Sequence, residues 1–278
     1  MKLQIVPART GLQWVQLGLR TFKSQPLALA ALFFLGMASM SLITAVPLIG
    51  PVIALALLPC ISLTMMVAAS EAAHGRKPTP ALLLVAFRSG SQHTHAMLTL
   101  GGLYAAGFLL IIGASSIVDG GTFASVYIGQ TPMSVELAED PEFQSAMWMS
   151  MLLYLPLSLA FWHAPALIHW HGISPIKSLF FSLVACVRNF GAYLVFGICW
   201  AGVFIVSGMV LAMVTGILAA VIGPIAGGLM VATALMLAAM FFSSIVFTFR
   251  DCFSPPDEAP DTAVLPSSPP PSPPSTEL

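Results

Sequence analysis

The chain has 278 residues, 58% hydrophobic and only 8% charged, with a formal net charge of −1 and a mean hydropathy of +0.92. Soluble domains carry about 25% charged residues, and no core of this size uses so much apolar surface, so the excess faces lipid. With no basic patch beyond short clusters flanking apolar runs, the composition excludes nucleic acid as a partner.

The first 25 residues are polar and amphipathic. Leu12, Val15, Leu19 and Phe22 share one helical stripe, and Gln13, Gln16, Arg20 and Lys23 share another, at i, i+3, i+7, i+10 spacing. The apolar run that follows suits a membrane span better than a signal peptide, whose apolar core is about 7–15 residues. A span needs about 20 apolar residues, and six stretches qualify: 26–48, 51–70, 96–118, 144–167, 190–220 and 224–249. The fifth exceeds a straight crossing and is expected to tilt or to break near Gly208 or Gly216.

All ten basic residues fall on one side of this arrangement: Lys2, Arg9, Arg20, Lys23, Arg76, Lys77, Arg88, Lys177, Arg188 and Arg250. The connections on the other side are short turns at Pro47–Pro51 and Gly223–Pro224 and the segment 119–143. That segment carries Asp119, Glu136, Glu139, Asp140 and Glu142 and no cation. The positive-inside rule then places both termini in the cytoplasm. No Asp, Glu, Lys or Arg occupies the centre of a span, which counts against an ion-coupled pump.

Two more interfacial helices are expected on the basic side, from Thr79-Pro80 to Phe87-Arg88 and from Ser174-Pro175 to Val187-Arg188. Thr or Ser as N-cap takes an orphan N–H, and Pro at the first helical position has none to lose. With the amphipathic start, these give three units of interfacial helix, outward span and returning span, a three-fold internal repeat beginning near residues 9, 79 and 174. Lipid and inner-leaflet contact falls to Arg9, Arg20, Lys23, Arg88, Lys177 and Arg188.

All six histidines lie on the basic side. His93, His95, His163, His169 and His171 are the candidates for a metal or haem site if the third and fourth spans pair. Against this, His169 and His171 point about 200° apart on a helix, no carboxylate lies near unless Glu71 approaches, and imidazole is an ordinary interfacial side chain. Glu71 itself is expected to meet water or Arg76. The expected metal and cofactor content is therefore none. Cys60, Cys186, Cys199 and Cys252 form no CxxC pair and none lies in an outward loop, so no disulfide or thiolate site is expected. Ser115, in the string Gly113-Ala114-Ser115-Ser116, lies near the outer end of its span, far from every histidine, and has no base. No catalytic residue is assigned.

Gly208, Ala212, Gly216 and Ala220 form a small-residue stripe, as do Gly101 with Ala105 and Gly102 with Ala106. Such stripes let helices approach closely. Packing within the bundle is the expected use, and a homodimer seam the alternative. Pro59, Pro156 and Pro165 inside spans kink helices and free carbonyls. Residues 254–278 hold nine prolines with serines and acids, and are expected to form a disordered cytoplasmic tail.

Val6-Pro7-Ala8-Arg9-Thr10-Gly11 with Trp14 and Gly18 resembles one signature of a family of multi-pass inner-membrane proteins of beta-proteobacteria. Ala164-Pro165-Ala166-Leu167, Trp170-His171, Ser174-Pro175-Ile176-Lys177-Ser178-Leu179-Phe180-Phe181-Ser182 and Arg188-Asn189 are similar to a second. The resemblance covers about residues 5–250. It implies a polytopic fold in the bacterial inner membrane and carries no catalytic residue across. Apolar or small residues usually stand in the family at the positions of His163 and His169, which weakens a shared metal site.

These readings converge on an all-α, polytopic six-span bundle over residues 1–253. The function expected is that of a non-enzymatic accessory or scaffold component acting on lipid or envelope, with membrane lipids, a second copy or another membrane protein as partner. The alternatives are a small-solute transporter or exporter, from the kinked spans and the repeat, and a haem- or metal-binding membrane protein, from the histidines.

Overall fold

The structure, a computed structural model, describes residues 2–223 and 225–253. Pro224 and the expected tail, 254–278, lie outside the described residues, as do the side chains of 220–222, 225 and 226. In chain order the helices are α1 (Thr10–Ser24), α2 (Pro26–Thr44), α3 (Gly50–Ala73), a 3₁₀ turn (Pro80–Leu84) running into α4 (Val85–Arg88), α5 (Ser91–Asp119), α6 (Thr122–Tyr127), α7 (Val135–Glu139), α8 (Pro141–Trp162), α9 (Ala164–His171), α10 (Pro175–Arg188), α11 (Phe190–Ile222) and α12 (Ile225–Phe253). Among the described residues, six helices are long and apolar enough to cross a membrane: α2, α3, α5, α8 with its continuation α9, α11 and α12.

The spans pack as a bundle in which α3 touches α2, α5 and α12, α5 pairs with α8, and α12 lies against α11 and α1. Lipid tails are as apolar as leucine, so close packing rather than escape from water holds these helices together. The core lies towards the end that carries the cations. Trp14, Phe196, Trp200, Leu63, Met66, Leu100 and Leu167 are all buried there. At the opposite end α5 and α8 stay packed, through Ile112, Ser115, Phe143 and Ala146, while the outer half of α11 presents Ile205, Met209, Met213 and Ile217 outward.

α1 lies against α12 and α11 on a face that shares Val15, Leu19 and Phe22 with the expected stripe but is rotated away from Leu12. Its buried residues are Gly11, Trp14, Val15, Gly18 and Phe22, whereas Leu12 is exposed. The glycines explain the rotation. A Cβ on Gly11 would lie 2.1 Å from the carbonyl oxygen of Ala192, and one on Gly18 would lie 2.3 Å from the Ser244 side chain. Two glycines seven residues apart let α1 bring its backbone onto both spans, and Trp14 fills the space between them.

Other expectations are corrected by local chemistry. The second interfacial helix is a 3₁₀ turn and one α-turn rather than a continuous helix. The Thr64 hydroxyl of α3 shares its one proton between the Cys60 carbonyl of its own helix at 2.9 Å and the Leu82 carbonyl at 3.2 Å, and so holds the turn against the span. Neither Thr79 nor Ser174 caps its helix through its side chain; the Ser174 backbone carbonyl takes the Ser178 N–H instead, at 2.9 Å. Side-chain caps occur at the acidic end, where Ser134 accepts from Leu137 N–H at 3.2 Å and Asp140 from Glu142 N–H at 3.0 Å.

α11 runs unbroken past Gly208 and Gly216. At 1.5 Å per residue it is about 50 Å long, so tilt rather than a break accommodates it. Gly208, Ala212 and Gly216 of its small-residue stripe do not pack inside the bundle, and the Ala220 side chain lies outside the described residues. Among the described residues a Cβ on Gly208 or Gly216 would meet nothing within 4 Å, because both lie on the exposed face of α11, while Ser207, Leu211 and Thr215 on another face are half-buried. Gly101 does act as a close-packing residue, its backbone lying against the Ala56 carbonyl of α3.

The fourth span ends at Trp162, where a bridge splits it from α9. In an unbroken helix the His163 N–H would donate to the Leu159 carbonyl. Here His163 N–H donates to the Ser182 hydroxyl at 2.9 Å, and that hydroxyl donates to the Leu159 carbonyl at 2.8 Å. A side chain from α10 is thus inserted into the hydrogen-bond ladder, an identifiable cause of a helix break. Pro165, lacking an N–H, removes the next donor but one.

Candidate functional site

The basic end is built from α1, the connection from α3 to α5, the segment α9–α10, and the end of α12. Contacts across these pieces hold it together: Gln25 Nε2 donates to the Arg76 carbonyl at 2.9 Å, and Gln4 N–H to the Cys252 carbonyl at 3.0 Å. Arg9, Arg20, Lys23, Arg88, Lys177 and Arg188 are all exposed, as are the other four basic residues. The ion pair present among the described residues joins Arg250 to the adjacent Asp251 at 2.9 Å. On α10 the bulky apolar residues face outward with the cations. Ile176, Phe180 and Val187 are exposed beside Lys177 and Arg188, while Ser178, Ser182, Ala185 and Cys186 are buried against α8 and α9. Small residues inside and large apolar ones outside describe a helix whose exposed face suits acyl chains.

Beneath this surface lies a buried polar knot. Asn189, between α10 and α11, accepts from Val6 N–H at 2.8 Å and donates to the carbonyls of Gln4 and Ala185 at 3.0 Å each. It thereby ties the extended N-terminal segment of the chain to the bundle. His163 is fully buried, its Nε2 hydrogen-bonded to the Tyr193 hydroxyl, and its ring lies against Phe249 and Phe253. Its Nδ1 has no hydrogen-bond partner among the described residues. Trp14 Nε1 reaches Asp251 at 2.8 Å, and Trp162 Nε1 reaches the Thr248 hydroxyl at 3.2 Å. Burial pushes the Cys186 thiol up to about 12.

The five candidate histidines do not converge. His93 and His95 line a groove of about 480 Å³ against Ile168 and Gly172–Pro175. His169 faces the same side, its Nδ1 3.5 Å from the Ser89 hydroxyl. His171 looks the other way, into a groove of about 300 Å³ with His74, Trp170, Phe249 and Arg250. Residues two apart on α9 point to opposite sides, and His163 is enclosed in the core. Among the described residues no group of three or more His, Cys, Asp or Glu side chains is placed to hold a metal ion. The Glu71 backbone carbonyl, rather than its carboxylate, meets Arg76, accepting its N–H at 2.9 Å. Ser115 is buried and donates to its own helix, to the Ile112 carbonyl at 2.7 Å.

A third feature escaped the sequence analysis. Within the spans, α2, α3, α5, α8 and α12 line a cavity of about 450 Å³ that is open on one side of the bundle. Its wall includes Pro59, Ser62, Tyr104, Tyr154, Ser158, Trp162 and Phe241. The Tyr104 and Tyr154 hydroxyls lie 3.2 Å apart. The signal available in the sequence was the placement of Ser62, Tyr104 and Tyr154, polar side chains in the middle of three apolar spans, one of them beside a proline. Their convergence depends on how α3, α5 and α8 pair.

No family model and no solved structure matches the chain. The chain is 35% identical over 256 residues to a probable inner membrane protein of Burkholderia thailandensis, an alignment covering 91% of this chain and 94% of the relative.

Proposed function

The chain belongs to the family of that Burkholderia inner membrane protein, and from this premise we propose that it is a non-enzymatic component of the inner membrane that holds anionic lipid headgroups at its basic end, with both termini in the cytoplasm. One observation carries the reading. All ten basic side chains are exposed, and, Arg250 apart, none forms an ion pair among the described residues. Each cation near an anionic leaflet contributes about 1 kcal/mol, and the outward apolar face of α10 supplies the adjoining contact with acyl chains. Membrane lipids are the partners in this reading, and the recurrence of short helix, span and span is its structural theme.

The test is native mass spectrometry of protein released gently from its own membrane. Wild type retains phosphatidylglycerol or cardiolipin, and the Arg88→Gln, Lys177→Gln, Arg188→Gln variant loses most of it. Equal retention by both proteins, or no anionic lipid on either, overturns the proposal. A second reading, movement of a small solute, rests on the cavity within the spans. Its largely aromatic and aliphatic wall favours a lipid-soluble cargo over a polar one, and flux into proteoliposomes decides it.

A further inference from the structure

We propose that the cavity between α2, α3, α5, α8 and α12 binds the head of a neutral, lipid-soluble quinone. Tyr104 lies about 20 Å along α5 from Ser91, and Tyr154 about 20 Å along α8 from Pro141, at 1.5 Å per residue. The two helices enter from opposite sides, so the hydroxyl pair sits near the bilayer midplane, where headgroups and water do not normally reside.

The second step is hydrogen-bond arithmetic. Two phenols carry two protons, and their mutual contact at 3.2 Å uses one. The remaining proton has no acceptor among the described residues. Ser62, in the same wall, makes no hydrogen bond there either. Two hydroxyl groups therefore face a cavity of about 450 Å³, within the range of about 300–1,000 Å³ typical of small-ligand sites. An unpaired donor in a low-dielectric interior is destabilising, so an occupant that supplies acceptors is favoured.

The third step is the rest of the wall. Trp162, Phe161, Phe241 and Phe242 surround the hydroxyls, and no Asp, Glu, Lys, Arg or His lines the site. The ligand must then be uncharged, must live within hydrocarbon, must offer carbonyl oxygens, and gains from a flat face that stacks on aromatic rings. A quinone head meets all four requirements. A glycerolipid ester carbonyl offers an acceptor but sits at the membrane surface, and an acyl chain offers none. The inference is independent of headgroup binding at the basic end, which involves other residues at another depth.

Trp162 provides the readout. The protein is placed in nanodiscs of quinone-free phosphatidylcholine and titrated with decylubiquinone while tryptophan emission is followed. Binding gives a saturable quench that disappears in Trp162→Phe. In the Tyr104→Phe, Tyr154→Phe variant the apparent affinity falls about tenfold, and in Ser62→Phe, which fills the cavity, saturation is lost. Each variant is first required to give a monodisperse, cooperatively unfolding protein. Quenching that rises only linearly, as collision within the bilayer produces, overturns the proposal. So does a saturable quench unaltered by either the tyrosine or the Ser62 change. Competition by dioctanoylglycerol equal to that by a second quinone would also overturn it, reassigning the site to ester carbonyls.

Discussion

Gly18 and Ser244 show how little room α1 leaves itself. A side chain at 18 must displace either the α12 backbone or α1 itself, because a Cβ there would already overlap Ser244. Overpacking costs about 1–3 kcal/mol even where neighbours yield. Gly18→Leu is therefore expected to lower the unfolding midpoint in mild detergent well below wild type. Gly102→Ala, where a Cβ meets nothing within 4 Å, leaves it within a degree or two or raises it. Equal midpoints for both variants would remove the close approach of α1. Cys186 makes a second residue-scale prediction. Its thiol is buried and held far above the range of a reactive thiolate, with the backbone of Leu159 beside it. The thiolate is the nucleophile, so a small maleimide at about pH 8 leaves Cys186 unmodified in the folded protein and modifies it on unfolding. Rapid labelling of the native state, read by peptide mass, contradicts that burial.

At the scale of elements, two predictions follow from hydrogen bonds that the sequence did not display. Ser182→Ala takes away the hydroxyl that both accepts from His163 and donates to Leu159. Each buried backbone group left unsatisfied costs about 1–3 kcal/mol, and reclosing the turn would instead swing α9 out of its packing. Ser182→Thr keeps the hydroxyl, so it retains most of the stability that Ser182→Ala loses, in the same unfolding assay. At α7, the Glu136 carboxyl is held below the usual glutamate range, first by its own backbone N–H and then by the Ser134 hydroxyl. A depressed carboxylate contributes stability above the ordinary glutamate range and loses it as pH falls through the lowered value. The protection of the amides across Val135–Glu139, taken relative to their intrinsic exchange rates at each pH, should therefore fall on acidification from about pH 7 to about pH 3, and fall more than in Glu136→Gln.

These two sites also mark where the sequence stops being readable. Hydropathy over twenty residues is a local property, so the six spans were legible from composition alone, with ends within a few residues of those observed. The face of α1 was legible only in part: Val15 and Phe22 are buried as the stripe expects, but periodicity rewards large apolar side chains and assigns no weight to glycine, and Gly11 and Gly18 set the rotation by their close approach. The same limit applies to the histidines. Their spacing suggested a cluster, but burial of His163 depends on Tyr193, thirty residues on in another span, and the divergence of His169 from His171 is a matter of helical phase. The cavity needs side chains from five helices, which no single window of sequence contains.

For the whole molecule, the separation of charge is the governing feature. Ten cations on one end and five acids between 119 and 142 on the other fix the orientation we propose. A variant in which the four native cysteines are replaced allows a direct check. A cysteine at Gln130 should react with a membrane-impermeant maleimide added to intact cells, and a cysteine at Gln16 only after the cells are opened. Labelling in the reverse order inverts the protein and moves the basic end away from the anionic cytoplasmic leaflet. Packing follows the same polarity: the halves of α11 and α12 at the basic end are dense with aromatic rings, and those of α3 with methionine, leucine and alanine, whereas the other half of α11 keeps only one face half-buried.

The hydroxyl that splits α8 from α9 comes from a residue synthesised nineteen positions after His163. A chain that ends before that residue leaves the His163 N–H without its acceptor and the Leu159 carbonyl without its donor. The break between the two helices thus depends on a neighbour that follows its target in the sequence. Truncating the message before codon 182 should deliver a fourth span with its inner end out of place, however well it inserts.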